Sequence, residues 1–375
     1  MIKLPITLSR YIGRHFLMAI LATLAIMIVI IGLVELLDLI RRASSAPRPV
    51  PFSIVLQLML LKLPTSAEKI YPFAFMVGSM VALGRLTRNS ELVVTRSAGV
   101  SVWQFLAPGI MVALVLGMLF TTVINPIAAS TIARFDRLEG KYISGRSSLM
   151  SILPSGLWLR QVGEENIVVG GVKADEYIIH ALRLTQQTLE LDTVTVFLFD
   201  ANHRFVGRID APKANLSPGR WMIENATLST PNARPQSLAH YEMPTQLTLG
   251  QIQDSFSSPE TFSVWQLPAF IAVLEKAGFS ALQHRLHFHS LMALPTLLAG
   301  MVMLAAVFSL RQPRRGRTGM LVVIGMVTGF LVYFMTNIIY AFGASGGLPI
   351  FLAAWAPSLI VLMGASALLL HLEDG

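Results

Sequence analysis

The sequence predicts a membrane α-helical protein of six transmembrane helices with an inserted extracytoplasmic all-β domain. Three observations carry that prediction. Six runs are apolar and long enough to span a bilayer. Between the third and fourth, residues 137–283 switch to short segments rich in β-branched and aromatic residues. Lysine and arginine gather in the short loops on one face of the expected topology. Composition agrees: 54% of the 375 residues are hydrophobic and 13% are charged. The mean hydropathy of +0.62 is too high for a soluble domain. The net charge of +8 points to anionic lipid, because the basic residues flank apolar spans and no nucleic-acid motif accompanies them. Cysteine is absent, which excludes disulfides and thiolate metal sites and leaves the redox compartment open.

The expected spans are Phe16 to Leu37, Ile54 to Leu86, Val102 to Ile124, Leu286 to Leu310, Met320 to Phe342 and Pro349 to His371. The first follows Lys3, Arg10 and Arg14 as a signal peptide would. It runs on without a small-residue cleavage site, so it reads as a retained helix. The second contains Lys62, Pro64, Glu68, Lys69 and Pro72. Proline frees backbone groups that lipid cannot satisfy, so an interfacial helix followed by a kinked span packed within protein is expected here. An even number of spans places both termini on one side. Lys3, Arg10 and Arg14, then Arg85, Arg88 and Arg96, then Arg311, Arg314, Arg315 and Arg317 share that side, which is the cytoplasm by the positive-inside tendency. The chain thus divides into helices one to three (1–136), an outer insert (137–283) and helices four to six (284–375).

Within the insert, Gly156–Gln161, Asn166–Val172, Thr193–Phe199, Arg204–Ile209, Trp221–Thr227 and His240–Leu249 read as strands. Turn signals separate them at Asp200-Ala201-Asn202, Ser217-Pro218-Gly219 and Pro231-Asn232. An antiparallel sandwich or open barrel follows. Ser263 to Ala277 regains helical periodicity and is expected on the membrane surface.

Between the second and third spans, Leu86 to Gln104 forms a polar island that encodes one short helix, about 89–98. Asn89 or Ser90 can cap its start, Glu91 suits the positive end of the helix dipole, and Gly99 can take the left-handed closing position. Ser101 and Gln104 then match a capping box for the next span. A helix this short is marginal in water, so Leu92, Val93 and Val94 need an apolar groove. The island reads either as a helix docked into another protein through Glu91 or as a capped loop joining two spans.

Two basic groups sit on the outer side, against the charge rule. Glu35, Asp38 and Arg42, with Arg41 beside them, share one helical face at the end of the first span. Arg134, Arg137 and Lys141 stack beyond the third. Such charges line a vestibule for an anionic headgroup, arginine forks suiting phosphate, or they pair within the helix and snorkel to the surface. His284, His287 and His289 converge only partly and read as interfacial packing rather than a metal site. No phosphate-binding loop, HExxH, GxSxG or paired catalytic carboxylates are found, so any ATP hydrolysis belongs to another subunit.

Together with Leu8-Ser9-Arg10-Tyr11-Ile12-Gly13, Pro64, Pro72, Ser90-Glu91-Leu92-Val93-Val94 through Gly99, and Gly156-Leu157-Trp158, this plan resembles the lipopolysaccharide export permease family. That family comprises the LptF/LptG type of ABC-transporter membrane subunit, and the likeness leans toward LptG. The resemblance implies an inner-membrane location in a Gram-negative bacterium. It makes the island a coupling helix seated in a dimer of the cytoplasmic ATPase LptB, through Arg88, Ser90, Glu91, Leu92, Val93, Arg96 and Gly99. It makes the insert a periplasmic β-jellyroll joined to LptC and LptA, and sets the first and fifth spans as lateral gates facing an LptF-type partner. No cofactor is expected in this chain, ATP and magnesium being held by the partner ATPase. LptG-type members carry a basic residue where this chain has Glu35, so lipopolysaccharide contact is expected at Asp38, Arg41, Arg42, Arg134 and Arg137. The alternative is a membrane-anchored receptor or scaffold whose β insert binds an external ligand.

Overall fold

The computed structural model describes residues 6–46, 49–143, 157–169, 172–185, 190–200, 204–217, 219–231, 234–245, 258–276, 280–310 and 318–374. Six helices are long and apolar enough to cross a membrane. The chain divides into a helical unit (Met1–Ile143, Pro259–Pro268 and Leu282–Gly375) and a second unit (Ser144–Ser258 and Ala269–Ala281). Before the insert come α1 (Ile6–Ser44), α2 (Phe52–Arg88), the short α3 (Glu91–Ser97), and α4 (Val102–Leu119). The last continues through a π-turn at Phe120–Ile124 into α5 (Asn125–Tyr142). After it come α6 (Leu267–Lys276), α7 (Leu282–Ser309), α8 (Thr318–Ala344) and α9 (Ile350–Asp374).

Burial sorts these helices. In α7, 78% of the most apolar window is buried, against 17% in α1 and in α8. α7 is therefore the central helix, and the outer two turn apolar faces outward, as lipid-facing helices must. Phe16, Phe75, Phe105, Met301 and Val302 bring α1, α2, α4 and α7 into one core. Close approach depends on small residues: a side chain at Gly78 would meet the Ile20 backbone, and one at Gly117 would meet Pro295. The second span differs from expectation. α2 is a single continuous helix of 37 residues with Pro64 and Pro72 inside it, where two successive pieces were expected. The residues that follow both prolines are enclosed by protein, with Thr65, Ser66, Ala67, Tyr71, Ala74 and Phe75 all buried, as expected for a proline-containing span packed within protein.

The π-turn has an identifiable cause. Pro126 cannot donate to the carbonyl of Thr122, and that carbonyl instead accepts from Trp265 Nε1 at 3.1 Å. Asn125, next to it, accepts from the Val264 N–H at 2.8 Å and donates to Glu68 Oε1 at 3.3 Å. Thr121 Oγ1 donates to the Leu291 carbonyl at 3.1 Å. Tyr71 and Phe75 pack on Phe120 at 4.3 Å and 6.0 Å.

The second unit holds six antiparallel strands in consecutive order: β1 (Leu157–Val169), β2 (Val172–Thr185), β3 (Glu190–Phe199), β4 (Phe205–Ser217), β5 (Arg220–Ser229) and β6 (Gln236–Pro244). The crossovers of a double Greek key do not occur among these strands. β2 is absent from the sequence expectation because its Ala-Asp-Glu opening favours strand poorly. β1 joins two expected segments across an irregularity between Val162 and Ile167. Pairing also lapses along one row crossing the sheet, through Thr193 in β3, Pro212 in β4 and Asn225 in β5. Pro212 lacks an N–H, and its neighbours Thr193 and Asn225 both hold φ at +53°. The row is a crease, and the sheet curls so that its end strands β1 and β6 approach one another.

Curling encloses a core built from β2 to β6, with Tyr177, Val196, Ile209, Trp221 and Met243 buried in it. The Tyr177 hydroxyl crosses from β2 to donate to the Pro244 carbonyl of β6 at 2.8 Å. Burial pushes this phenol up to about 12, so it stays a donor at any physiological pH. Tyr177→Phe strands that carbonyl and is expected to cost about 1 kcal/mol, read as a fall in the urea midpoint followed by Trp221 fluorescence. An unchanged midpoint would show that the bond does not hold the curl.

Candidate functional site

The polar island forms a helix with one expected end and one unexpected end. α3 closes as read: Gly99 has φ +82°, and the Val100 N–H reaches the Thr95 carbonyl at 3.4 Å, the long bond of a Schellman end. Ser101 and Gln104 form both halves of the capping box, each bond 3.3 Å. Ser90 sits at φ +60° and offers its carbonyl to the Val94 N–H at 3.1 Å. Asn89 points its amide at Glu91 Oε1, also at 3.1 Å. The apolar residues of α3 divide, since Leu92 enters the helical unit's own core while Val94 stays 65% exposed. Arg88 and Ser90 are exposed beside it. The side chains of Val93 and Arg96 lie outside the described positions. Glu91 has a partner that local spacing does not reveal: Tyr11 Oη of α1 donates to its Oε1 at 3.2 Å.

At the opposite end of α1, the first charged group reaches across to α5 through Glu139. Asp38 pairs with Arg41 at 3.1 Å and with Arg42 at 2.6 Å. Arg42 also reaches Glu139 of α5 at 3.1 Å, so it is a bridge between two carboxylates. Arg41, Arg134 and Arg137 remain exposed, with Arg137 Nε donating to the Ala133 carbonyl at 3.1 Å. The side chain of Lys141 lies outside the described positions. Glu35 does not join this group. Its carboxylate is held by Lys62 at 2.6 Å and by the Ser66 hydroxyl at 2.8 Å, both from α2. Helical side chains lean toward the N-terminus, which carries Glu35 away from Arg42 and into the α1–α2 seam. Lys62 in turn lies 5.6 Å over the Phe135 ring of α5.

The histidines pack against aromatic rings, His284 with Phe262 at 5.7 Å and His289 with Phe351 at 6.3 Å. No group of three side chains able to hold a metal occurs among the described residues. Sequence reasoning missed Tyr11, Lys62, Ser66 and Glu139 as members of the charged clusters. Each acts across a helix–helix seam, and only the bare charge of Lys62 inside an apolar run hinted at a partner.

Residues 10–371 match the model of the family described as "Lipopolysaccharide export system permease LptF/LptG". The chain is 25% identical over 363 residues to the lipopolysaccharide export system permease protein LptG of Haemophilus influenzae, covering 95% of this chain and 96% of that one. It is 25% identical over 360 residues to the protein of the same name from Escherichia coli K12, covering 94% of each. A match of this extent takes in all six apolar helices and the β insert together, and this multi-pass membrane protein belongs to the LptF/LptG family of lipopolysaccharide export permeases.

Proposed function

We propose that the chain is the permease subunit of an inner-membrane ABC transporter. It extracts lipopolysaccharide from the outer leaflet and passes it to a periplasmic bridge of the LptC and LptA kind. An LptB-type ATPase dimer would bind ATP and magnesium, and an LptF-type permease would complete the cavity. In this reading the basic loops and both termini face the cytoplasm, and residues 137–283 face the periplasm as the conduit. The observation that carries the proposal is the short, sharply ended α3 and the turn before it, where Arg88 at the end of α2, Ser90 in the turn and Val94 on α3 are exposed around the half-buried Glu91. A rigid two-turn element is a suitable lever for a motor that pushes from below. At the other end, Arg41, Arg134 and Arg137 offer exposed guanidinium groups to the headgroup phosphates. Arg42, held by Asp38 on its own helix, pairs with Glu139 and so ties α1 to α5 beneath them.

Reconstituted transport with lipopolysaccharide tests both ends. Glu91→Ala is expected to lower lipopolysaccharide released per ATP by about tenfold, the loss of one charge-assisted contact. Arg134→Glu with Arg137→Glu is expected to reduce photocrosslinking to lipopolysaccharide by a similar factor while leaving complex assembly intact. Wild-type transport from the first variant would defeat the coupling role, and wild-type crosslinking from the second would defeat the headgroup site.

A further inference from the structure

Tyr11 lies near the start of α1, before the long apolar run, and its hydroxyl donates to Glu91 Oε1. Asn89 Nδ2 donates to the same oxygen. Two donors on one oxygen fix the rotation of the carboxylate and leave Oε2 as the oxygen to which no described residue donates. The phenol is held from its own helix, its ring packed 4.3 Å from that of His15 one turn on, the two planes tilted by 50°. It is 42% exposed, so packing alone does not require a hydroxyl there. Its neighbours Ile12 and Phe16 are buried in the core, which gives this end of α1 a firm footing although most of the helix is thinly covered. Among the described residues, Tyr11 to Glu91 is the side-chain hydrogen bond that joins α1 to α3.

We propose that Tyr11 is a positioning residue for the coupling step: it turns Glu91 so that Oε2 meets a cationic side chain of the partner ATPase, and it carries movement of α3 to the near end of α1. This rests on the coupling role proposed for Glu91. Both parts follow from the same bond, since the contact that orients the carboxylate also crosses between the two helices. Removing it would leave α3 able to dock but with its acid free to rotate and its movement no longer reported to α1.

The test uses the whole transporter in lipid nanodiscs, with lipopolysaccharide as the probe. Tyr11→Phe keeps the ring and removes only the hydroxyl. Complex assembly and basal ATP hydrolysis are expected to stay within about twofold of wild type, while lipopolysaccharide released per ATP falls roughly three- to tenfold. The chain contains no cysteine, so spin labels at Arg10→Cys and the exposed Ser97→Cys report the α1–α3 distance in the same complex. That distribution is expected to stay narrow with Tyr11 and to broaden with phenylalanine. An unchanged transport ratio, an unchanged distance distribution or a failure to assemble with Tyr11→Phe each overturns the assignment. Glu91→Ala separates the two readings. If it uncouples transport while Tyr11→Phe does not, only the role of Tyr11 fails. If neither uncouples, the coupling role of Glu91 has failed first.

Discussion

Lys62→Met is expected to destabilise the helical unit by about 2–4 kcal/mol, because it leaves the Glu35 carboxylate in the α1–α2 seam with only the Ser66 hydroxyl for company. Both side chains of the pair are mostly covered, at 22% and 16% exposure, so water cannot fully take the place of the lost ammonium. The same change removes the cation above Phe135 and loosens the junction of α1, α2 and α5. The double variant Glu35→Gln with Lys62→Met removes both charges, and most of the lost stability is expected to return. Thermal unfolding of the purified protein in detergent, followed for wild type, both single variants and the double, measures the coupling. A single variant as stable as the double would mean that the pair is solvated and contributes little.

Gly78→Leu is expected to be more disruptive still. A Cβ at this position would lie 2.6 Å from Ile20 Cα and 3.0 Å from Ile20 N. Backbone cannot step aside as a flexible side chain can, so α1 would have to move off α2. The cost is expected at about 3 kcal/mol or more, at the upper end of overpacking effects. Gly84 of the same helix provides the control, since nothing lies within 4 Å of its would-be Cβ. Gly84→Leu is expected to be neutral or to gain up to about 1 kcal/mol of helix propensity. Folded yield and melting temperature from the membrane fraction compare the two. Equal behaviour would show that α1 and α2 are not locked at this crossing, which would leave the Glu35–Lys62 pair as the main tie between them.

Much of the architecture was legible before any coordinate. Hydropathy marks six spans because a bilayer demands a long apolar run from each helix separately. The change to β-rich segments marks the insert. The closing glycine of α3 and the Ser101–Gln104 box were readable because a cap is made by residues three or four apart. The misreadings have a common origin. Pro64 and Pro72 suggested an interfacial helix followed by a kinked span, whereas one continuous helix runs through both. Ser90, read as a capping position, also has to hold the left-handed corner that opens α3, which no spacing rule announces. β2 escaped notice because its place in the sheet comes from its neighbours on both sides rather than from its own composition.

Where the candidate site was read from charge spacing, the outcome depended on reach. Asp38, Arg41 and Arg42 do meet as i, i+3 and i, i+4 neighbours. Glu35, on the same helical face by spacing, turns to α2 instead. Glu91 was visible as the lone acid of its island, whereas the tyrosine that orients it was not.

By itself the sequence determined that this chain spans the membrane, that its middle turns from helix to strand, and that a short helix closed by a glycine stands between the second and third spans. Each of these follows from solvent preference or from bonds between near neighbours along the chain. Only the tertiary structure decided that Glu35 answers to Lys62, Glu91 to Tyr11 and the Thr122 carbonyl to Trp265, and that the sheet folds along Pro212. Those choices depend on the rotation and depth at which helices and strands pack, and a periodic pattern specifies the face of an element without specifying which side chain stands opposite it.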